Sequence, residues 1–152
     1  MPVEVNASGA PQWRALLAKA ARLLLEETGR RGAEFSVTLV GDEEMCSLNR
    51  RYRGVNRPTD VLAFAQSEGE PIAAASGDEH LGDVIISTET ARRQAEASGW
   101  PVEDELVRLL VHGYLHLIGY DHEASRAQAR RMRAEETRLA RLLAAAGIRC
   151  AG

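Results

Sequence analysis

Lysine is nearly missing from this chain. Of its 19 basic residues only Lys19 is a lysine, and the rest are arginine. Such uniform usage suggests a coding bias across a genome, so arginine richness by itself identifies no partner. Cysteine is as scarce: Cys46 and Cys150 are too few for a disulfide framework and lack the spacing of paired metal ligands. They read as a small core residue in a helical pattern and a loose tail thiol. Excess positive charge is lacking too; with a net charge of −3, any contact with a polyanion must be local. No apolar run approaches the roughly 18 residues needed to span a bilayer. The opening "MPVEVNASGA" has no basic region followed by an apolar stretch, so it does not read as a secretory signal. These absences predict a cytoplasmic protein with no membrane partner.

What remains is an ordinary globular composition, 45% hydrophobic and 27% charged over 152 residues. That length is most simply one domain, 1–152, with a sizeable core. "VEVN" near Val3 is a short alternating strand candidate. Between residues 11 and 27, Trp13, Leu16, Leu17, Ala20, Leu23 and Leu24 recur at helical spacing, and Gly29 and Gly32 close the segment. "FSVTLV" alternates as a half-buried strand does. Asp42 is the expected cap of a second helix, with Met45, Leu48 and Tyr52 facing the core. "RGVNRPTD" is turn chemistry, and "VLAFA" reads as a third strand. "SEGEPIAAASGDEH" reads as a long loop, and "LGDVIIST" as a strand paired with the third. Ser87 or Thr88 should cap a helix running to about Ser98. Pro101 opens the next, with Glu103, Asp104 and Glu105 in its first turn. A final helix, about 123–146, carries Met132, Leu139, Leu142 and Leu143 as its apolar positions. The order β-α-β-α-β-β-α-α-α predicts an α+β fold. One mixed sheet of about four strands is packed with five to six helices.

Three of the four histidines fall in one stretch, "VHGYLHLIGYDHE": His112, His116 and His122. On a helix, His112 and His116 project from one face about one turn apart, which suits two imidazoles converging on one metal ion. Gly119 can take a left-handed conformation and turn the chain back, so that His122 arrives as a third ligand. Three neutral imidazoles with an open fourth position are the donor set of a catalytic zinc site. His80, in "GDEHLGD", reads as a loop residue rather than a fourth ligand. Asp121, beside His122, reads as a turn or outer hydrogen-bond acceptor.

The spacing H-x3-H-x2-G-x2-H is that of a zinc-peptidase motif, but the glutamate that serves there as general base is missing. Gly113 stands in its place and takes no proton, so peptide hydrolysis by that route is disfavoured. Metal-assisted attack on a phosphodiester remains open, because its main demand is a cation beside the phosphoryl oxygens. "NRRYRGVNRP" offers Arg50, Arg51, Arg53 and Arg57 for that charge.

"HGYLHLIGYDH" resembles the signature of the YbeY family, bacterial metal-dependent endoribonucleases and rRNA maturation factors. "LNRRYRGVNRPTDVLAF" and "LGDVIIST" resemble two further stretches of that family, in the same order. The resemblance implies one zinc ion per chain on His112, His116 and His122, with His112 and Arg53 in the catalytic machinery. It implies cleavage of single-stranded RNA, maturation of the small-subunit (16S) rRNA near its 3′ end, and ribosome quality control. Implied partners are rRNA, the 30S ribosomal subunit and a ribosome-assembly GTPase. The chain departs from the pattern at Asn56, Ala63 and Ala65, where aspartate, serine and proline are usual; these bear on the RNA groove rather than the metal. Two alternatives stand beside this reading: an assembly factor in which zinc only braces the fold, and a metallopeptidase with an unusual base.

Overall fold

The computed structural model describes residues 3–66 and 79–152. Strand β1 (Val3–Asn6) leads through a 3-10 turn, Pro11–Trp13, into α1 (Arg14–Glu27). Then follow β2 (Glu34–Val40), α2 (Asp42–Arg53), β3 (Val61–Ala65) and β4 (His80–Ser87). Helices α3 (Thr88–Ser98), α4 (Val102–Leu117) and α5 (Arg126–Ala145) complete the chain. The four-stranded sheet has the order β1-β2-β4-β3. Its first two pairings are parallel, and β3 runs antiparallel to β4 at the edge. The α+β architecture with one mixed sheet and five α-helices is the one the periodicity predicts.

Strand alternation divides the apolar residues between the two faces. Phe35, Val37, Val84 and Ile86 meet α1, α4 and α5 in the main core, which also takes Val61, Ala63 and Ala65 of β3. Leu62, Phe64 and Ile85 point the other way and are covered by Met45 and Leu48 of α2. Helix α4 is the buried spine: ten of its residues are buried, from Glu105 to Leu117. A stripe of Asp104, Arg108, His112 and His116 stays half-buried, and so wide an apolar face is stable between a sheet and other helices.

Several expectations change. Asp42 does not cap α2. Gly41 holds that position, and the Asp42 backbone N–H donates to Glu89 Oε1 at 2.7 Å, from the first turn of α3. Asp42's own carboxylate accepts from the Ser87 and Thr90 hydroxyls, each at 2.6 Å, and pairs with Arg93. Burial by itself would raise the Asp42 carboxyl, but the bonds from Ser87, Thr90 and Arg93 outweigh it and hold the acid below its ordinary range. The two helix starts are thus laced together, and Ser87 caps α3 through the Thr90 N–H.

Tyr52 does not face the core. It is 58% exposed, with its ring edge-on to Phe64, outside the small core that Met45 and Leu48 form with the sheet. His80 is not a loop residue but the first residue of β4, paired with Glu34. The rest of the expected loop, 67–78, lies outside the described residues. The last helix starts at Arg126, capped by Ser125, rather than at 123. Cys150 is not loose: it packs on the main core, and burial pushes its thiol up to about 11. Cys46 is only half-buried, its Sγ lying 3.7 Å from Asn56 Oδ1.

Candidate metal centre

The C-terminal half of α4 and the turn behind it build the site. Helix α4 ends at Leu117, and Gly119 adopts φ 105°, a left-handed value that glycine takes without steric cost. The Gly119 and Tyr120 N–H groups donate to His116 O and Leu115 O, which folds the chain back over the helix end. Asp121 Oδ1 then accepts the Glu123 N–H at 2.9 Å and tightens the turn that carries His122. The ring centroids of His112, His116 and His122 lie 4.9, 5.1 and 5.2 Å apart.

One nitrogen from each ring can be chosen so that all three lie within 4.8 Å of one another. A tetrahedral zinc with bonds near 2.0–2.1 Å wants its ligand nitrogens about 3.4 Å apart, a small rotamer adjustment away. The donor set therefore fits a metal ion. Burial lowers the pKa of His116, and the neighbouring His112 and His122 lower it further. Its imidazole is accordingly neutral at pH 7, the form that binds metal.

The residue that replaces the peptidase glutamate has a packing reason. A Cβ on Gly113 would stand 2.7 Å from Val84 Cγ1 and 3.2 Å from Val61 Cγ2. At this point α4 lies almost against the sheet, and there is no room for a carboxylate aimed at the metal.

The histidines open into a cleft of about 630 Å³ that is also lined by Arg53, Asp60, Ala63, Ala65, Asp121 and Glu123. Of the four arginines in "NRRYRGVNRP", the fold brings Arg53 to this lining. Gly54 ends α2 in a left-handed conformation, and the buried Asn49 donates from Nδ2 to Arg57 O at 2.8 Å. That bond ties the end of α2 to the turn entering β3 and fixes where Arg53 begins. Ala63 and Ala65, two of the departures from the family pattern, line the same cleft as the histidines.

Two acids join the site from outside the histidine motif. Asp60 borders the cleft, where its carboxylate accepts from the Val61 N–H at 2.8 Å and from Gln94 Nε2 at 3.3 Å. Glu136, on α5, lies with Oε2 2.9 Å from His112 Nδ1. Its signal was in the sequence. It sits four residues after Met132 and three before Leu139, a carboxylate on the apolar stripe of α5 where a hydrophobe is expected.

The family described as Endoribonuclease YbeY matches residues 4–144. The chain belongs to this family. Among YbeY relatives, the endoribonuclease of Pelotomaculum thermopropionicum is 46% identical over 128 residues, covering 84% of each chain. That of Desulfitobacterium hafniense is 52% identical, covering 76% of this chain and 74% of its own. The solution structure of TM1509 from Thermotoga maritima superposes with a TM-score of 0.62, covering 90% of this chain and 85% of that one. At 24% identity the likeness is one of fold, the α+β architecture described above.

Proposed function

We propose that this chain is a zinc-dependent endoribonuclease, an RNA-cleaving hydrolase whose metal is held by His112, His116 and His122. The observation that carries the reading is the convergence of three imidazoles in a cleft that Arg53 also lines, in a chain of the YbeY family. A zinc ion at that triad supplies Lewis acidity toward a water nucleophile and toward a phosphoryl oxygen.

The cleft's own charges favour such a cation. Asp60, Asp121 and Glu123 oppose a single guanidinium in the lining, so the metal-free cleft repels a phosphodiester. Arg53 grips phosphate oxygens with its planar fork and stabilises charge as it develops on them. His112 contributes to catalysis as a ligand. Gly113 leaves no carboxylate where a peptidase has its base, which weighs against peptide substrates.

The substrate in this reading is single-stranded RNA, and the whole chain, 1–152, works as one domain. The biological target is the small-subunit rRNA near its 3′ end, with a part in ribosome quality control. The 30S subunit and a ribosome-assembly GTPase are the partners, and the cytoplasm is the place; these follow from the YbeY resemblance. No described helix is long and apolar enough to cross a membrane.

An end-labelled single-stranded RNA incubated with the purified protein tests the reading. Cleavage is expected, abolished by a chelator, restored by added zinc, and much weaker on a duplex of the same sequence. RNA left intact by zinc-loaded protein would overturn it in favour of a zinc-braced assembly factor.

A further inference from the structure

Glu136 is an unusual side chain for its position. It shares the inward stripe of α5 with Met132, Leu139 and Leu143, all buried. A carboxylate there loses hydration and needs a compensating partner. Its partner is His112 Nδ1, at 2.9 Å, with the two side chains 25% and 29% exposed. No other described hydrogen bond engages the Glu136 carboxylate.

An ionised carboxylate can only accept. The proton in this contact therefore belongs to Nδ1, and the lone pair of the neutral ring belongs to Nε2. We propose that Glu136 is the positioning residue of the metal centre: it holds His112 in the Nδ1–H tautomer with Nε2 presented to His116 and His122. The inference rests on the metal site proposed above. Glu136 stands behind the His112 ring, on the Nδ1 side, so it acts through the ligand and does not touch substrate.

Two physical effects follow. The bond removes one of two ring orientations and one of two tautomers, so less freedom is lost when the metal binds. The carboxylate also fixes the ring's direction, and outer partners of this kind are typically worth about 10–100-fold in metal affinity. Without Glu136, α4 alone leaves His112 free to turn its Nδ1 inward.

Zinc competition against a chromophoric chelator, with no RNA present, tests this apart from the nuclease reading. Glu136→Ala should bind zinc about 10–100-fold more weakly than the parent. Glu136→Gln, which keeps a neutral acceptor, should fall between the two. Thermal unfolding of the metal-free variants should match that of the metal-free parent. In parent protein loaded with cobalt(II), the visible band intensities report a tetrahedral site, and Glu136→Ala should change them. Nitrogen-15 NMR of the metal-free parent reads the His112 tautomer directly, whether or not the alanine variant folds. It should show the His112 proton on Nδ1, and a proton on Nε2 would overturn the proposal. Zinc affinity of folded Glu136→Ala within twofold of the parent would overturn it as well. A parent that binds no zinc would remove the metal site and this role together.

Discussion

Gly113 and Val84 approach so closely that a Cβ on the glycine would lie 2.7 Å from Val84 Cγ1. This contact sets the distance between α4 and the sheet, and with it the height of His112 and His116 above β3. Gly113→Ala is expected to destabilise the protein by about 1–3 kcal/mol, the usual cost of overpacking a filled core. Chemical denaturation of the metal-free protein measures it. An alanine variant as stable as the parent would mean that Val84 yields freely. Gly113→Glu, which recreates the peptidase motif in sequence, should fail to fold or pack and should acquire no peptidase activity.

Metal loading should follow the histidine triad. His116→Ala is expected to lose stoichiometric zinc by elemental analysis, since two imidazoles remain from a set of three. In the parent, zinc at 100 times its dissociation constant stabilises the fold by about 2.7 kcal/mol. For a chain of this size that is a rise of about 5–10 °C in unfolding temperature. Full zinc content in His116→Ala would remove it from the ligand set.

Arg53 separates an enzyme from a brace. The residue lines the cleft while remaining exposed, so its replacement has little to do with folding. Arg53→Ala should keep zinc and thermal stability and lose about 100-fold or more in RNA cleavage, as for removal of one transition-state donor. Arg53→Lys should restore only part, because lysine keeps the charge and loses the fork. Unchanged cleavage by folded, zinc-loaded Arg53→Ala would end the role.

Acid stability should depend on Glu105, which is 0% exposed. It accepts from Gln94 Nε2 at 2.6 Å, Trp100 Nε1 at 3.0 Å and Arg108 Nε at 2.9 Å. Burial alone would raise this carboxyl, but the bonds from Arg108, Gln94 and Trp100 and the Arg108 charge outweigh it and lower its pKa. A depressed acid stabilises the fold above its unfolded pKa, and that contribution disappears as pH falls through the folded value. Glu105→Gln should therefore cost stability at pH 7, near the lower end of the ~3–5 kcal/mol for breaking a buried pair, since Arg108 stays partly hydrated. The difference from the parent should shrink progressively below about pH 4.5. A gap independent of pH would show that the carboxylate charge is not what holds the network.

How much of this could be read without coordinates differs from element to element. "VLAFA" is β3 and "VEVN" is β1 to the residue, because strand alternation and turn chemistry act over a few neighbours. The histidine triad was legible for the same reason. The i, i+4 step of a helix and a glycine at its end set where His112, His116 and His122 can go, whatever packs around them.

Contacts between elements followed a different logic. Glu89 caps a helix that begins 47 residues earlier, and Glu136 meets a histidine 24 residues before it. Tyr52 occupies a helical position that periodicity assigns to a core, yet its ring meets Phe64 edge-on and stays 58% exposed. Each depends on how the tertiary fold packs the helices against one another and against the sheet β1-β2-β4-β3. Local spacing encodes neighbours within a turn or a pleat, and so the triad was written in the sequence. Arg53, Asp60 and Glu136 gather around it only because the folded sheet and helices bring distant segments to one cleft.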